Sequence, residues 1–352
     1  MMSLITRGIY YAAMGEHRIP RAGRFAKHTA VIAVLSLAVG LGLGWFLTGR
    51  FAPPTGIISD KGVRLNGQYK LISPLLLCAS TESANLAGYA GLAAKIQDAI
   101  AEAKKSGSIS DVSLYFRDLA GHWIGINDTV NYAPASLLKV PIMIAYFKAA
   151  ESDPSILSKK IYYDGSFDGN TIETIHQPGI ITPGSHSVRD LIRAMIVSSD
   201  NNATQLLQDN IGNQTLAETY TDLGLSVPVR EDAIAASISA KQYSYFFRVL
   251  YNATYLSPEY SEEALEILSA SSLHGGIAAG IPGGVSIAEK FGERTVETPH
   301  GAVVERQLHD CGIIYAPKHP YFLCIMTRGT GPDFSALSNA IRTISKIVYD
   351  NT

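Results

Sequence analysis

The chain has 352 residues, of which 47% are hydrophobic and only 17% charged, and its formal net charge is −2. That balance excludes the basic footprint of a nucleic-acid binder. Three cysteines are too few for a disulfide framework or a metal cluster, and neither Cys-x-x-Cys nor a glycine-rich phosphate loop is present, so no metal and no cofactor is expected.

The apolar excess has an address. Thr29 to Gly49 runs 21 residues without a charge, enough to cross a hydrocarbon core as a helix. Arg7, Arg18, Arg21, Arg24 and Lys27 precede it against the single acid Glu16, which keeps residues 1–28 cytoplasmic and sends everything after residue 50 outside. No Ala-x-Ala site follows, so an uncleaved single-pass anchor in the cell membrane is expected over residues 29–49. Residues 50–82 form a tether that begins with the helix-breaking Ala52-Pro-Pro-Thr-Gly56. Its later part, from Leu71 to Cys78, is apolar enough to lie against the folded domain.

In that domain, residues 83–352, Leu92, Ile96 and Ile100 mark one face of a first helix. Val112, Leu114 and Phe116 alternate with Ser113, Tyr115 and Arg117, the period of a half-buried strand, and Ala120-Gly121 turns into a second strand around residues 122–126. From Ser136 to about Gly280 the period is mostly helical. Strands return at residues 285–291, 311–315 and 321–326, and a closing helix presents Leu337, Ile341, Ile344 and Val348 inward. Strands at both ends around a helical middle predict an α+β domain of two lobes. The sheet lobe takes residues 83–132 and 283–352, the helical lobe residues 133–282, and the cleft between them is the natural site. If the last hairpin turns about Pro317-Lys318, Cys311 faces Cys324; a disulfide and two small buried apolar residues are both compatible with that.

Three short motifs carry chemistry. Ser136 and Lys139, three residues apart at the head of an apolar helix, share a face. A lysine desolvated there is pushed toward the neutral amine that can take a serine's proton, and the N–H of Ser136 faces a developing oxyanion. Ser199-Asp200-Asn201 opens a later helix; these are helix-capping residue types, and a loop between helices also presents them to a cleft. Lys290-Phe291-Gly292-Glu293 ends a strand, offering a fixed positive charge and a glycine that allows close approach of substrate to backbone.

In this order and spacing, Ser-x-x-Lys, Ser-Asp-Asn and Lys-x-Gly resemble the penicillin-recognising serine enzymes, most closely the class A β-lactamases and their D,D-peptidase relatives, from about Leu92 to the C-terminus. The resemblance implies a two-lobed β-lactamase-like fold and an acyl-enzyme on Ser136. It implies Lys139 as base or proton route and Ser199 as proton donor to the leaving nitrogen. Lys290 would attract the substrate carboxylate, Asn201 would bond Lys139 and the substrate amide, and Asp200 would brace the loop. The N–H groups of Ser136 and Glu293 would form the oxyanion hole. The substrates implied are β-lactams or D-Ala-D-Ala stem peptides of the cell wall.

Three departures stand out. Phe291 replaces the hydroxyl residue of Lys-Thr-Gly. Cys311-Gly312 stands where many class A enzymes carry arginine before glycine, leaving Arg294 or Arg328 to compensate. No Glu-x-x-Leu-Asn lies between Asn201 and Lys290, so the deacylating glutamate is missing unless Glu231 or Asp232 replaces it. A penicillin-binding enzyme with a lasting adduct is expected; a true β-lactamase with a displaced acid and a covalent antibiotic sensor are the alternatives.

Overall fold

The computed structural model describes residues 69–75, 89–118, 121–172, 174–175, 179–224, 237–271 and 275–352. Internal contacts divide the chain into Met1–Ser59 and Asp60–Thr352, and all described residues lie in the second unit. The basic tail, the 29–49 span, most of the tether, Glu231 and Asp232 lie outside the described residues. Among the described residues, no helix is long and apolar enough to cross a membrane.

Helix α1 (Ala90–Lys104) buries the expected stripe of Leu92, Ile96 and Ile100. Strands β1 (Ile109–Asp118) and β2 (Trp123–Ile126) follow, then a two-residue β3 (Asn131–Tyr132). A 3₁₀ turn (Ala135–Leu138) leads into α2 (Lys139–Ser152), which is apolar all round and therefore central. Next come β4 (Lys160–Tyr163), β5 (Gly184–Ser187), α3 (Val188–Val197), α4 (Asn201–Ile211) and α5 (Asn213–Asp222). After β6 (Ile238–Ser239) come α6 (Ala240–Tyr251) and α7 (Pro258–Ser269). Strands β7 (Ile287–Glu297), β8 (Val303–Ile314) and β9 (Tyr321–Gly329) precede the closing α8 (Ser335–Asp350).

The sheet is five-stranded and antiparallel in the order β2-β1-β9-β8-β7, so β1, from the start of the domain, pairs with β9 from its end. One face packs on α1 and α8 through Leu114, Phe116, Leu323, Ile325, Leu337 and Ile341. The other packs on the helical lobe through Tyr115, Ala288, Ile313 and Phe322. This double cover corrects two readings. β1 is buried on both faces across its middle, Ser113 and Tyr115 included, instead of alternating with solvent. The helical middle is interrupted by β4 and β5, which pair with each other, and by β6, which pairs with β3. These pieces are too short to leave a period in the sequence.

The apolar end of the tether does dock. Leu71 and Ile72 are buried, and the Glu262 carboxylate on α7 accepts the backbone N–H groups of Lys70, Leu71 and Ile72. The Tyr315 hydroxyl donates to the Leu71 carbonyl. In the last hairpin Cys311 stands opposite Cys324, and the two form a disulfide.

Candidate active site

The segment ahead of the nucleophile is pinned by side chains from the sheet. The Ala133 N–H donates to Gln307 Oε1 at 3.2 Å, and the Ala133 carbonyl is 3.0 Å from His309 Nε2. Pro134 then fixes the chain, and Ala135 takes the left-handed conformation at φ 49°, which is costly for a residue with a Cβ and persists only because its surroundings fix it. Ser136 follows, 8% exposed. It lies in the 3₁₀ turn, one turn ahead of the helix that begins at Lys139, a refinement that the Pro134 punctuation left open.

Lys139 is 3% exposed, and its ammonium reaches the carbonyl of Ser199 at 2.5 Å, Ser199 Oγ at 3.0 Å and Asn201 Oδ1 at 2.7 Å. A protonated amine has three N–H donors, and all three of these acceptors are oxygens within hydrogen-bond reach. Ser199 is also left-handed, at φ 55°, just ahead of α4. Asp200 caps that helix: Oδ1 takes the N–H groups of Asn202 and Ala203, and Oδ2 takes that of Ile181. Asn201 Oδ1 accepts from Lys139, and its Nδ2 donates to the Gly169 carbonyl at 2.9 Å.

From the sheet side, Lys290 Nζ donates to the same Ser199 Oγ at 3.0 Å and to the Phe291 carbonyl at 3.1 Å. Ser199 Oγ thus accepts from two ammonium groups, so its own proton points away from both. Lys290 is fully buried, and its Nζ lies 4.2 Å from the Phe291 ring centroid, a cation–π pair. It is not among the residues that line the cleft. Gly292 lies within β7, not in a turn. A Cβ there would meet the Pro134 carbonyl oxygen at 2.8 Å and the Leu137 nitrogen at 3.2 Å. The close approach this glycine permits is therefore to the nucleophile's own turn. Glu293 accepts the N–H groups of Thr174 and Ile175, tying the helical-lobe rim to β7.

The cleft between these walls holds about 350 Å³ and is lined by Ser136, Lys139, Ile172, Asn201, Glu293 and Arg294, among others. Of the two arginines proposed to compensate, Arg294 lines it. Arg328 instead donates to the Asn131 carbonyl and stacks on Tyr132. A larger hollow of about 590 Å³, lined by Glu151, Tyr255 and Tyr260, holds none of the candidate residues. Among the described residues, no group of three acids, histidines or cysteines could hold a metal.

Sequence reasoning missed Gln307 and His309, which hold Ala133, and the buried acids Glu289 and Asp310 behind β7. The available signal was charge inside otherwise apolar strands, Ala288-Glu289-Lys290-Phe291 and Leu308-His309-Asp310-Cys311.

The sequence model of the β-lactamase enzyme family matches residues 91–352. The chain belongs to the β-lactamase enzyme family. No curated protein matches it. Among solved structures, a mutant of PBP-A captured as an acyl-enzyme with penicillin G is 22% identical at a TM-score of 0.60, over 74% of this chain and 96% of that one. A β-lactamase from Xanthomonas campestris is 19% identical at 0.61, over 74% and 98%. A class A β-lactamase representative from Bacteroides cellulosilyticus is 17% identical at 0.60, also over 74% and 98%. At these identities the neighbours share the β-lactamase fold: an antiparallel sheet from both ends of the domain, helices on its faces and a helical lobe.

Proposed function

We propose that this β-lactamase-family serine hydrolase forms an acyl-enzyme on Ser136 with β-lactams or D-Ala-D-Ala peptides. The observation that carries the reading is the continuous chain Asn201–Lys139–Ser199–Lys290, two members of which, Lys139 and Asn201, line the same cleft as Ser136. Lys139, once it gives up a proton, takes the Ser136 hydroxyl proton as Oγ attacks the carbonyl carbon. The N–H groups of Ser136 and Glu293 receive the oxyanion. Ser199, whose Oγ is occupied as an acceptor by both ammonium groups, passes its proton to the leaving nitrogen, the C–N bond breaks, and the proton taken by Lys139 returns to Ser199.

Hydrolysis of the adduct needs a base near the acyl carbon. The family's Glu-x-x-Leu-Asn is absent from the sequence, which supports slow deacylation and a penicillin-binding enzyme. The penicillin G acyl-enzyme captured with a PBP-A mutant, a structural neighbour at a TM-score of 0.60, is in keeping with that reading. The 29–49 segment and its basic flank support a domain held outside the cell on a single-pass anchor.

Incubating the soluble domain with a labelled penicillin tests both halves. A mass increase of one penicillin that persists, and is lost in Ser136→Ala, is the expected result. Rapid turnover of a chromogenic cephalosporin would make the protein a β-lactamase proper, and no adduct at all would overturn the reading.

A further inference from the structure

A group of cations that the acylation chemistry does not use gathers where the edge strand β2 meets α6. In the β1–β2 register Arg117 stands opposite Trp123 and Tyr115 opposite Gly125, so these residues share the face that packs on the helical lobe. From that lobe Lys241, Tyr245 and Arg248 are spaced along one stripe of α6. Lys241 Nζ lies 5.2 Å from the Trp123 ring centroid, and Trp123 stacks on Tyr115 at 6.0 Å. The Arg248 guanidinium lies 5.3 Å from the Tyr245 ring. Tyr245 is 40% exposed, and Arg117, Trp123, Lys241 and Arg248 are half-buried.

Among the described residues, no carboxylate forms an ion pair with any of the three cations. The one acid at the margin, Asp128, lies against Gly125. Burial and the Arg117 charge push the Arg248 guanidinium below its ordinary value, as two like charges do when no anion lies between them. Half-desolvated guanidinium groups without a counter-ion suit a phosphate, whose oxygens match their fork. The flanking indole and phenol rings offer an apolar body with a polar tip.

We propose that this stripe docks on the anionic phospholipid headgroups of the membrane in which the chain is anchored. The inference rests on the single-pass anchor read above. Cations mixed with Trp and Tyr are the composition that settles at headgroup level. The leash is also short. Residues 50–68 separate the 29–49 span from the docked strap. As a flexible coil they reach on the order of 25 Å, roughly half the width of a domain of this size. The strap ends beside the patch, where Ser73 and Leu75 donate their N–H groups to the carbonyls of Tyr251 and Asn252, one turn beyond Arg248. A domain on such a leash meets the bilayer surface continually, and the charged stripe selects the face it presents.

The experiment reconstitutes the full chain carrying Trp45→Phe, which leaves Trp123 as the single tryptophan. The vesicles are phosphatidylcholine alone or a phosphatidylcholine–phosphatidylglycerol mixture, each with lipid brominated near the headgroup. Trp123 fluorescence should be quenched in the anionic vesicles, little in the neutral ones, and restored by high salt. Lys241→Gln should weaken the docking equilibrium about five-fold. Lys241→Glu with Arg248→Glu should abolish the quenching while the melting temperature shows that the fold is kept. If that double variant does not fold, Lys241→Gln decides: quenching equal to the parent chain at every phosphatidylglycerol fraction overturns the proposal. So does an unquenched Trp123 in anionic vesicles, or equal quenching in both kinds. Binding of a phosphate-bearing wall glycopolymer by the stripe without lipid quenching gives the surface another occupant and overturns it too. Retention of the chain through an alkaline carbonate wash reads the anchor separately. A chain that washes off yet is quenched by anionic vesicles sinks the anchor and keeps the docking surface; a chain that stays with Trp123 unquenched does the reverse.

Discussion

The ammonium of Lys290 and the ring of Phe291 face each other at 4.2 Å, adjacent residues on one edge strand. In the motif this chain departs from, a hydroxyl residue follows the lysine; here an aromatic face shields the charge instead. Anionic substrates should therefore be held less well than the family resemblance implies. Phe291→Thr should raise acylation by a carboxylate-bearing penicillin about ten-fold relative to its neutral methyl ester. Second-order acylation rates for the two compounds, wild type against variant, check this. An unchanged ratio would show that the ring does not control access to Lys290.

Lys139 donates to three acceptors, two of them on Ser199. Lys139→Met should leave the fold intact, since the stem stays apolar, and slow acylation of Ser136 by about 10²–10⁴. Ser199→Ala should slow it less with an activated thioester than with an amide, because a thiolate leaves without needing a proton. Equal losses for both leaving groups would remove Ser199 from the protonation step.

Glu262 gathers three successive N–H groups of residues 70–72. Charged acceptors of this kind contribute about 1.5–3 kcal/mol, so Glu262→Ala should lower the Tm by roughly 4–8 °C. It should also open the strap to protease while penicillin still acylates Ser136. Calorimetry and limited proteolysis read the two effects separately.

His309 and Asp310, adjacent on β8, oppose each other in acid. Burial pushes the His309 imidazole down to about 4, so the folded state binds fewer protons than the unfolded chain, and stability is lost as pH falls from about 6.5 toward 4. Burial raises Asp310 to about 7, so the folded state binds more protons, and stability is gained as pH falls from about 7 toward 4. The two slopes cancel in the wild type. Asp310→Asn should lose stability steadily on acidification over that window, and His309→Gln should gain it. Denaturant midpoints at three pH values between those limits check the signs, and parallel slopes in the two variants would contradict the assignment.

The sequence carried what repeats or stands in fixed order. The Leu92–Ile96–Ile100 stripe, the strands at both ends and the Ser136, Ser199 and Lys290 motifs were legible because period and spacing survive in one dimension. The opposition of Cys311 and Cys324 followed from hairpin symmetry alone. What could not be read depends on contacts between distant segments. The double cover of β1 comes from α1, α8 and the helical lobe together, and the clamp on Ala133 comes from residues more than 170 positions away. That Gly292 also packs against Pro134 is visible only in the folded chain.

Because β1 is completed by β9, the order of synthesis separates the reactive groups in time. Ser136 leaves the ribosome well before Lys290, and the strand that receives β1 comes later still. Until β7 arrives, Ser199 Oγ lacks the Lys290 ammonium and the cleft lacks its Glu293 and Arg294 wall. On the acyl-enzyme reading proposed above, a nascent or truncated polypeptide ending before β7 should be silent toward antibiotic and react only once the last fifth of the chain closes the sheet.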